Sequence, residues 1–140
     1  MELYFREDPR PRYGLHDTFV SDIDIEEDQL TFYFNEGIYP AGQDEEKREA
    51  RIVFKKIDYD FSEVMIIKGS GQKKRFKGKR VSFKAFKKML QKGSFEILDE
   101  TYSGYLAVWR GYYYRKEKID EVIISILYLG LMTYYVEESK

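Results

Sequence analysis

The chain has 140 residues, 43% apolar and 17% aromatic, with 24 Lys or Arg against 25 Asp or Glu and a net charge of −1. That is the length of one domain with enough apolar side chains for a real core, which excludes a disordered chain. Cysteine is absent, so disulfide stapling, thiolate chemistry and Cys-based zinc sites are excluded with it.

In chain order, residues 1–14 read as an irregular lead-in broken by Pro9, Pro11 and Gly14. The N-terminus has neither a basic start nor an apolar core segment, so no secretory signal is expected and a cytoplasmic location is. Phe19 to Ile25 alternates at period two, and Leu30, Phe32 and Phe34 share a face after the polar link Glu26 to Gln29. Two alternating runs so joined predict a hairpin with one buried face. Gly37 to Glu49, with Pro40, Gly42 and the charged cluster from Asp44, predicts an exposed loop. Strand character resumes over Ala50 to Tyr59 and again over Glu63 to Lys68, which ends at Gly69-Ser70-Gly71.

One amphipathic helix is expected near 82–92. Ser82 suits the N-cap, and Phe83, Phe86, Met89 and Leu90 fall on one side, with Lys84, Lys87, Lys88 and Lys92 opposite. Gly93 is expected to end it in a left-handed turn. The last third returns to strands. Tyr105 to Tyr114 is apolar on both faces, which predicts a central position. Glu121 to Tyr128 and Leu131 to Val136 follow, parted at Gly130 by a bulge or turn. The longest apolar stretch, Val122 to Val136, is interrupted by Ser125, Gly130 and Thr133. It is shorter than the roughly 20 residues a spanning helix needs, so no membrane partner is expected. The fold class is therefore a single, mainly β (α+β) domain over residues 1–140, an antiparallel β-sandwich or strongly curved sheet with that one helix.

Charge is distributed unevenly. Residues 64–95 carry eleven Lys or Arg and no acid, whereas residues 1–46 carry thirteen acids against three arginines. The basic segment, Lys73, Lys74, Arg75, Lys77, Lys79 and Arg80, extended by Lys84 and Lys88, is a candidate partner-binding surface. Clustered cations neutralise phosphates and release counterions, and Phe76 could stack on a base. The recognition motifs of RNA-binding sheets are missing, so a solvated face or a surface for an acidic protein is the competing reading. The acidic region, including Asp44, Glu45 and Glu46, suits electrostatic recognition of a basic protein. It lacks the glycine and ligand spacing of a calcium loop.

Tyr112 and Tyr114 share one strand face and suit a protein interface, including a homodimer. His16 is the sole histidine. With Asp17 it could orient a general base, but no nucleophile motif accompanies it, and a structural role competes. Gly69-Ser70-Gly71 lacks the ending of a phosphate loop. No cofactor or metal motif is present.

The Leu15-His16-Asp17-Thr18-Phe19-Val20 opening leads to the Leu30 to Phe34 strand. With the Phe76-x-Gly78-x-x-Val81-Ser82 pattern, then Phe86, Leu90 and Glu96-Ile97, it resembles small uncharacterised bacterial proteins that open with a Leu-His-Asp segment and a hairpin. The resemblance transfers no active-site residue. Proteins of this general kind include immunity partners of bacterial toxins. The expected function is a non-catalytic, cytoplasmic protein-binding domain, inhibitor-like or immunity-like. The alternative is a nucleic-acid-binding module using residues 73–92, and a hydrolase around His16 and Asp17 is the third reading.

Overall fold

The computed structural model describes residues 2–5, 13–40, 47–68 and 77–137. Flat and β-branched side chains at period two favour pleated strands, and these segments form β1 (Glu2–Phe5), β2 (Tyr13–Gly14), β3 (Thr18–Val20), β4 (Asp22–Ile25), β5 (Gln29–Pro40), β6 (Arg48–Lys55), β7 (Ile57–Lys68) and β8 (Lys77–Val81). Helix α1 (Phe83–Lys92) follows, then β9 (Ser94–Ser103), β10 (Leu106–Arg115), β11 (Lys118–Tyr128) and β12 (Met132–Val136). Among the described residues the chain is mainly β with one helix.

The strands make two antiparallel sheets. The first runs β1-β12-β6-β5-β2, with β4 also paired to β5, and the second runs β3-β9-β10-β11-β7-β8. Their inner faces meet through aromatic rings. Trp109 of the second sheet lies with its centroid 4.7 Å from Phe32 and 5.6 Å from Phe54 of the first, and Phe54 lies 5.1 Å from Tyr128. Edge-on and tilted ring pairs of this kind add to plain area burial. As expected, β10 is central in its sheet.

Two runs expected as single strands are divided where the chain crosses between sheets, and a third crossing falls at the break expected near Gly130. Phe19 to Ile25 breaks at Ser21, so β3 pairs with β9 and β4 with β5, and only the 22–34 part is the expected hairpin. The 50–59 run breaks at Lys56, whose φ of 54° turns the chain out of β6 into β7. The third crossing, Leu129 to Leu131, lies beside it: Leu129 N–H donates to Lys56 O at 2.8 Å and Gly130 N–H to Lys55 O at 2.9 Å. The expected 37–49 loop is also corrected. Its ends are strand: β5 continues to Pro40 through a bulge at Gly37 (φ 98°), and β6 begins at Arg48; the rest, including Asp44 to Glu46, lies outside the described residues.

Helix α1 matches its expected span. Ser82 Oγ accepts from Ala85 N–H at 3.0 Å, a side-chain N-cap. Phe83, Phe86 and Leu90 are buried, and Phe86 meets Phe95 edge-on at 5.5 Å. Gly93 does not end the helix in a left-handed turn; its φ is −160°. Glycine is needed there for a different reason, because a Cβ would press on Tyr114 O and the Tyr113 ring. No helix among the described residues is long and apolar enough to cross a membrane.

A bulge in β9 reshapes the second sheet. Gly111 pairs with Ile97 while Arg110 pairs with Asp99, so Leu98 is the extra residue. A bulge reverses which residues face inward. Phe95 and Ile97 point into the core before it, and Glu100 and Tyr102 opposite Trp109 and Ala107 after it. A Cβ at Gly111 would collide with Glu96 O more closely than real Cβ atoms approach, so the bulge and this glycine go together.

Candidate functional site

Alternation fixes what the second sheet shows to solvent. In β10, Ala107, Trp109, Gly111 and Tyr113 are buried, leaving Leu106, Val108, Arg110, Tyr112 and Tyr114 on the outer face. Register carries this face across the neighbouring strands. One row runs Asp99, Arg110, Ile123, Met65, Arg80, and the next runs Phe19, Glu96, Tyr112, Glu121, Ile67. Antiparallel sheets with one solvated face usually present polar residues there. Here Ile123, Met65, Ile67, Val108 and Leu127 are half-buried, and Ile119 is 59% exposed.

The charged groups on this face are tied to each other. Arg110 Nε donates to Asp99 Oδ2 at 2.9 Å, its Nη2 donates to the same oxygen, and its Nη1 reaches Glu121 Oε1 at 3.2 Å. Those bonds raise the guanidinium above its ordinary pKa, Asp99 first. Arg80 Nε pairs with Glu63 at 3.2 Å. Tyr114 donates its hydroxyl to Glu96 Oε1 at 2.7 Å, which, with burial behind it, pushes its pKa up to about 12. Tyr112 and Tyr114 pack edge-on at 6.4 Å.

Of the partner-binding residues expected from sequence, Tyr112 and Tyr114 stand together on this face, and Arg80 is at its β8 edge. Lys79, Lys84 and Lys88 are exposed on β8 and α1, and Lys77 opens β8. Lys73, Lys74 and Arg75, with Phe76, lie outside the described residues. The acidic and basic zones meet rather than stand wholly apart. Lys87 Nζ bonds Asp22 Oδ1 at 3.0 Å and Ile23 O at 2.5 Å, and lies 3.8 Å from Asp24, joining α1 to β4. Sequence reading had placed Lys87 on the solvent side of the helix; it is half-buried because two N-terminal carboxylates sit beside it.

His16 and Asp17 form no pair. Both are exposed, Asp17 occupies a turn at φ 62° with its N–H bonded to Ile97 O, and the His16 ring stacks on Tyr39 at 5.8 Å. Sequence reading missed the inward carboxyl of Glu100. Its Oε1 accepts from Tyr102 at 2.6 Å and its Oε2 from Leu15 N–H at 2.8 Å, while Trp109 Nε1 donates to Tyr102 at 3.1 Å. Burial raises the Glu100 pKa, against those two hydrogen bonds. The group anchors the Leu15 turn to the second sheet, and only the bulge at Leu98 explains its direction. No family model, curated protein or solved structure matches the chain.

Proposed function

We propose that this chain is a non-catalytic, cytoplasmic protein-interaction domain that docks through the outer face of its second sheet, with a second copy of the chain as occupant. The observation behind this reading is an apolar sheet face whose charges are already paired within it. From β9 to β8 the face spans roughly 19 Å, and Leu106 to Tyr114 roughly 27 Å, taking standard strand spacing and rise. That projects to about 500 Å² of face, its charged residues included, a part of it apolar. Pairing lowers the cost of drying Arg110, Asp99, Glu121, Arg80 and Glu63, since an unpaired charge is the costly one to bury.

Charge polarity favours a second copy. On the outer face Glu96 and Asp99 lie on the β9 side, and Arg80 on the β8 side. A two-fold axis along the strands lays the β9 side of one copy on the β8 side of the other, an isologous arrangement with opposite charges opposed.

Sedimentation equilibrium tests the reading. The chain is expected to dimerise reversibly, and Tyr112→Glu with Ile123→Glu is expected to leave a folded monomer. A wild-type chain that stays monomeric at about 100 μM, a concentration at which even weak interfaces associate, overturns it.

A further inference from the structure

The outer face of the first sheet has a different character. Cross-strand rows run Asp22, Tyr33, Arg51, Tyr135 and Asp24, Thr31, Val53, Thr133. Above them the side of α1 bearing Lys84 and Lys87 closes a groove of about 990 Å³. That is at the upper end of the volumes that hold small-molecule ligands.

Four cations and two carboxylates line the groove: Arg51, Lys55, Lys84 and Lys87 against Asp24 and Glu26. Lys87 and Asp24 engage each other, and Asp24 also accepts from the Tyr33 hydroxyl at 2.5 Å. Arg51, Lys55 and Lys84 remain, opposed by Glu26 alone, a surplus of two positive charges. None of the three forms an ion pair among the described residues. Arg51 is held in place without using its N–H groups, because its guanidinium carbon sits 4.5 Å over the Tyr135 ring centroid. A stacked guanidinium with vacant donors is a pre-set fork for an oxyanion.

Arg51 and Lys55 flank Val53 on one face of β6, roughly 13 Å apart along the strand. All three cations line the one groove, Arg51 and Lys55 from the strand and Lys84 from the helix. We propose that this groove binds a phosphorylated small molecule. Its dianionic phosphate lies on the Arg51 fork between Lys55 and Lys84, and the remainder lies along Gln29 and Thr31. A charge of two matches a doubly ionised terminal phosphate group, and the planar fork matches its oxygens. The site lies on the opposite sheet from the docking face and stands or falls apart from it.

Titration calorimetry of the full chain with ADP, with adenosine as the phosphate-free control, tests the proposal. ADP is expected to bind with a dissociation constant below about 1 mM at low salt, adenosine not to bind, and affinity to fall as salt screens the cations. Lys55→Glu with Lys84→Glu is expected to weaken ADP at least about tenfold while the thermal midpoint stays close to wild type. Tyr112→Glu on the other sheet should leave ADP binding unchanged. Absence of ADP binding at millimolar concentration overturns the proposal. So does equal affinity in the charge-reversed variant, or equal binding of adenosine.

Discussion

The outer faces of the two sheets are built from the same kind of strand, yet their arginines are used in opposite ways. Arg110 on the second sheet is clamped between Asp99 and Glu121. Arg51 on the first rests on a tyrosine ring with no carboxylate partner among the described residues. Around Arg110 the neighbours in register are Asp99 and Ile123, with Met65 next in the row; around Arg51 they are Tyr33 and Tyr135. A face whose charges satisfy each other is less costly to dry than one with unpaired charges, and a face whose cations are vacant attracts an anion from solution. On the two proposals above, the difference would separate a surface for protein from a surface for a small charged ligand.

The largest expected effect breaks the second face from beneath. Gly111→Ala places a Cβ against Glu96 O, so the backbone of β9 must shift to admit it. We expect a loss of about 3 kcal/mol, the upper range for overpacking, measured by urea denaturation. A loss under about 1 kcal/mol would mean that β9 shifts without strain.

Next, Ile123→Glu should weaken self-association by about 2 kcal/mol, the cost of removing a central interface anchor. Lys55→Glu on the first sheet should leave association untouched. Sedimentation of both variants sharpens the contrast, and equal effects from the two would erase it.

The two arginines supply a matched pair. Arg110→Ala leaves Asp99 and Glu121 without their shared guanidinium, so a cost of about 0.5–1 kcal/mol in stability is expected. Arg51→Ala removes a ring contact and no ion pair, and should cost about 0.5 kcal/mol or less, as surface substitutions do. Thermal melts at low and high salt distinguish them: only the Arg110 effect should shrink with salt.

The smallest effect is on alkaline stability. The folded-state pKa of Tyr114 is raised from 10.0 to about 12, first by its hydrogen bond to Glu96. A group that keeps its proton more firmly when folded contributes fully below its unfolded pKa, and loses that contribution as pH rises through the folded one. Stability should therefore fall slightly between those two values. Tyr114→Phe should flatten that part of the profile, and an unchanged profile would mean the Glu96 bond is not formed in solution.

Local chemistry was legible where one element carries its own signal. Ser82 and the spacing of Phe83, Phe86 and Leu90 defined α1 and its cap, and apolar residues on both faces of β10 placed it mid-sheet. The crossings were not legible. Lys56 turns the chain at positive φ with a residue that seldom does so, and Ser21 interrupts an alternation that otherwise reads unbroken. The bulge at Leu98 depends on Gly111, thirteen positions away, so the inward turn of Glu100 had no local mark. The proposed docking face was half visible, because Tyr112 and Tyr114 share one face of β10. Its other members, Phe19, Met65, Ile67 and Ile123, come together only through register. The groove was invisible for the same reason: Arg51, Tyr135 and Lys84 meet across three elements.

Methyl NMR on dilution is the most direct test of the contrast between the faces. Resonances of Met65, Ile67 and Ile123 are expected to shift with protein concentration, while those of Val53 and Ile25 stay fixed. Concentration-dependent shifts at Val53 and Ile25 instead, or at none of the five, would contradict the account.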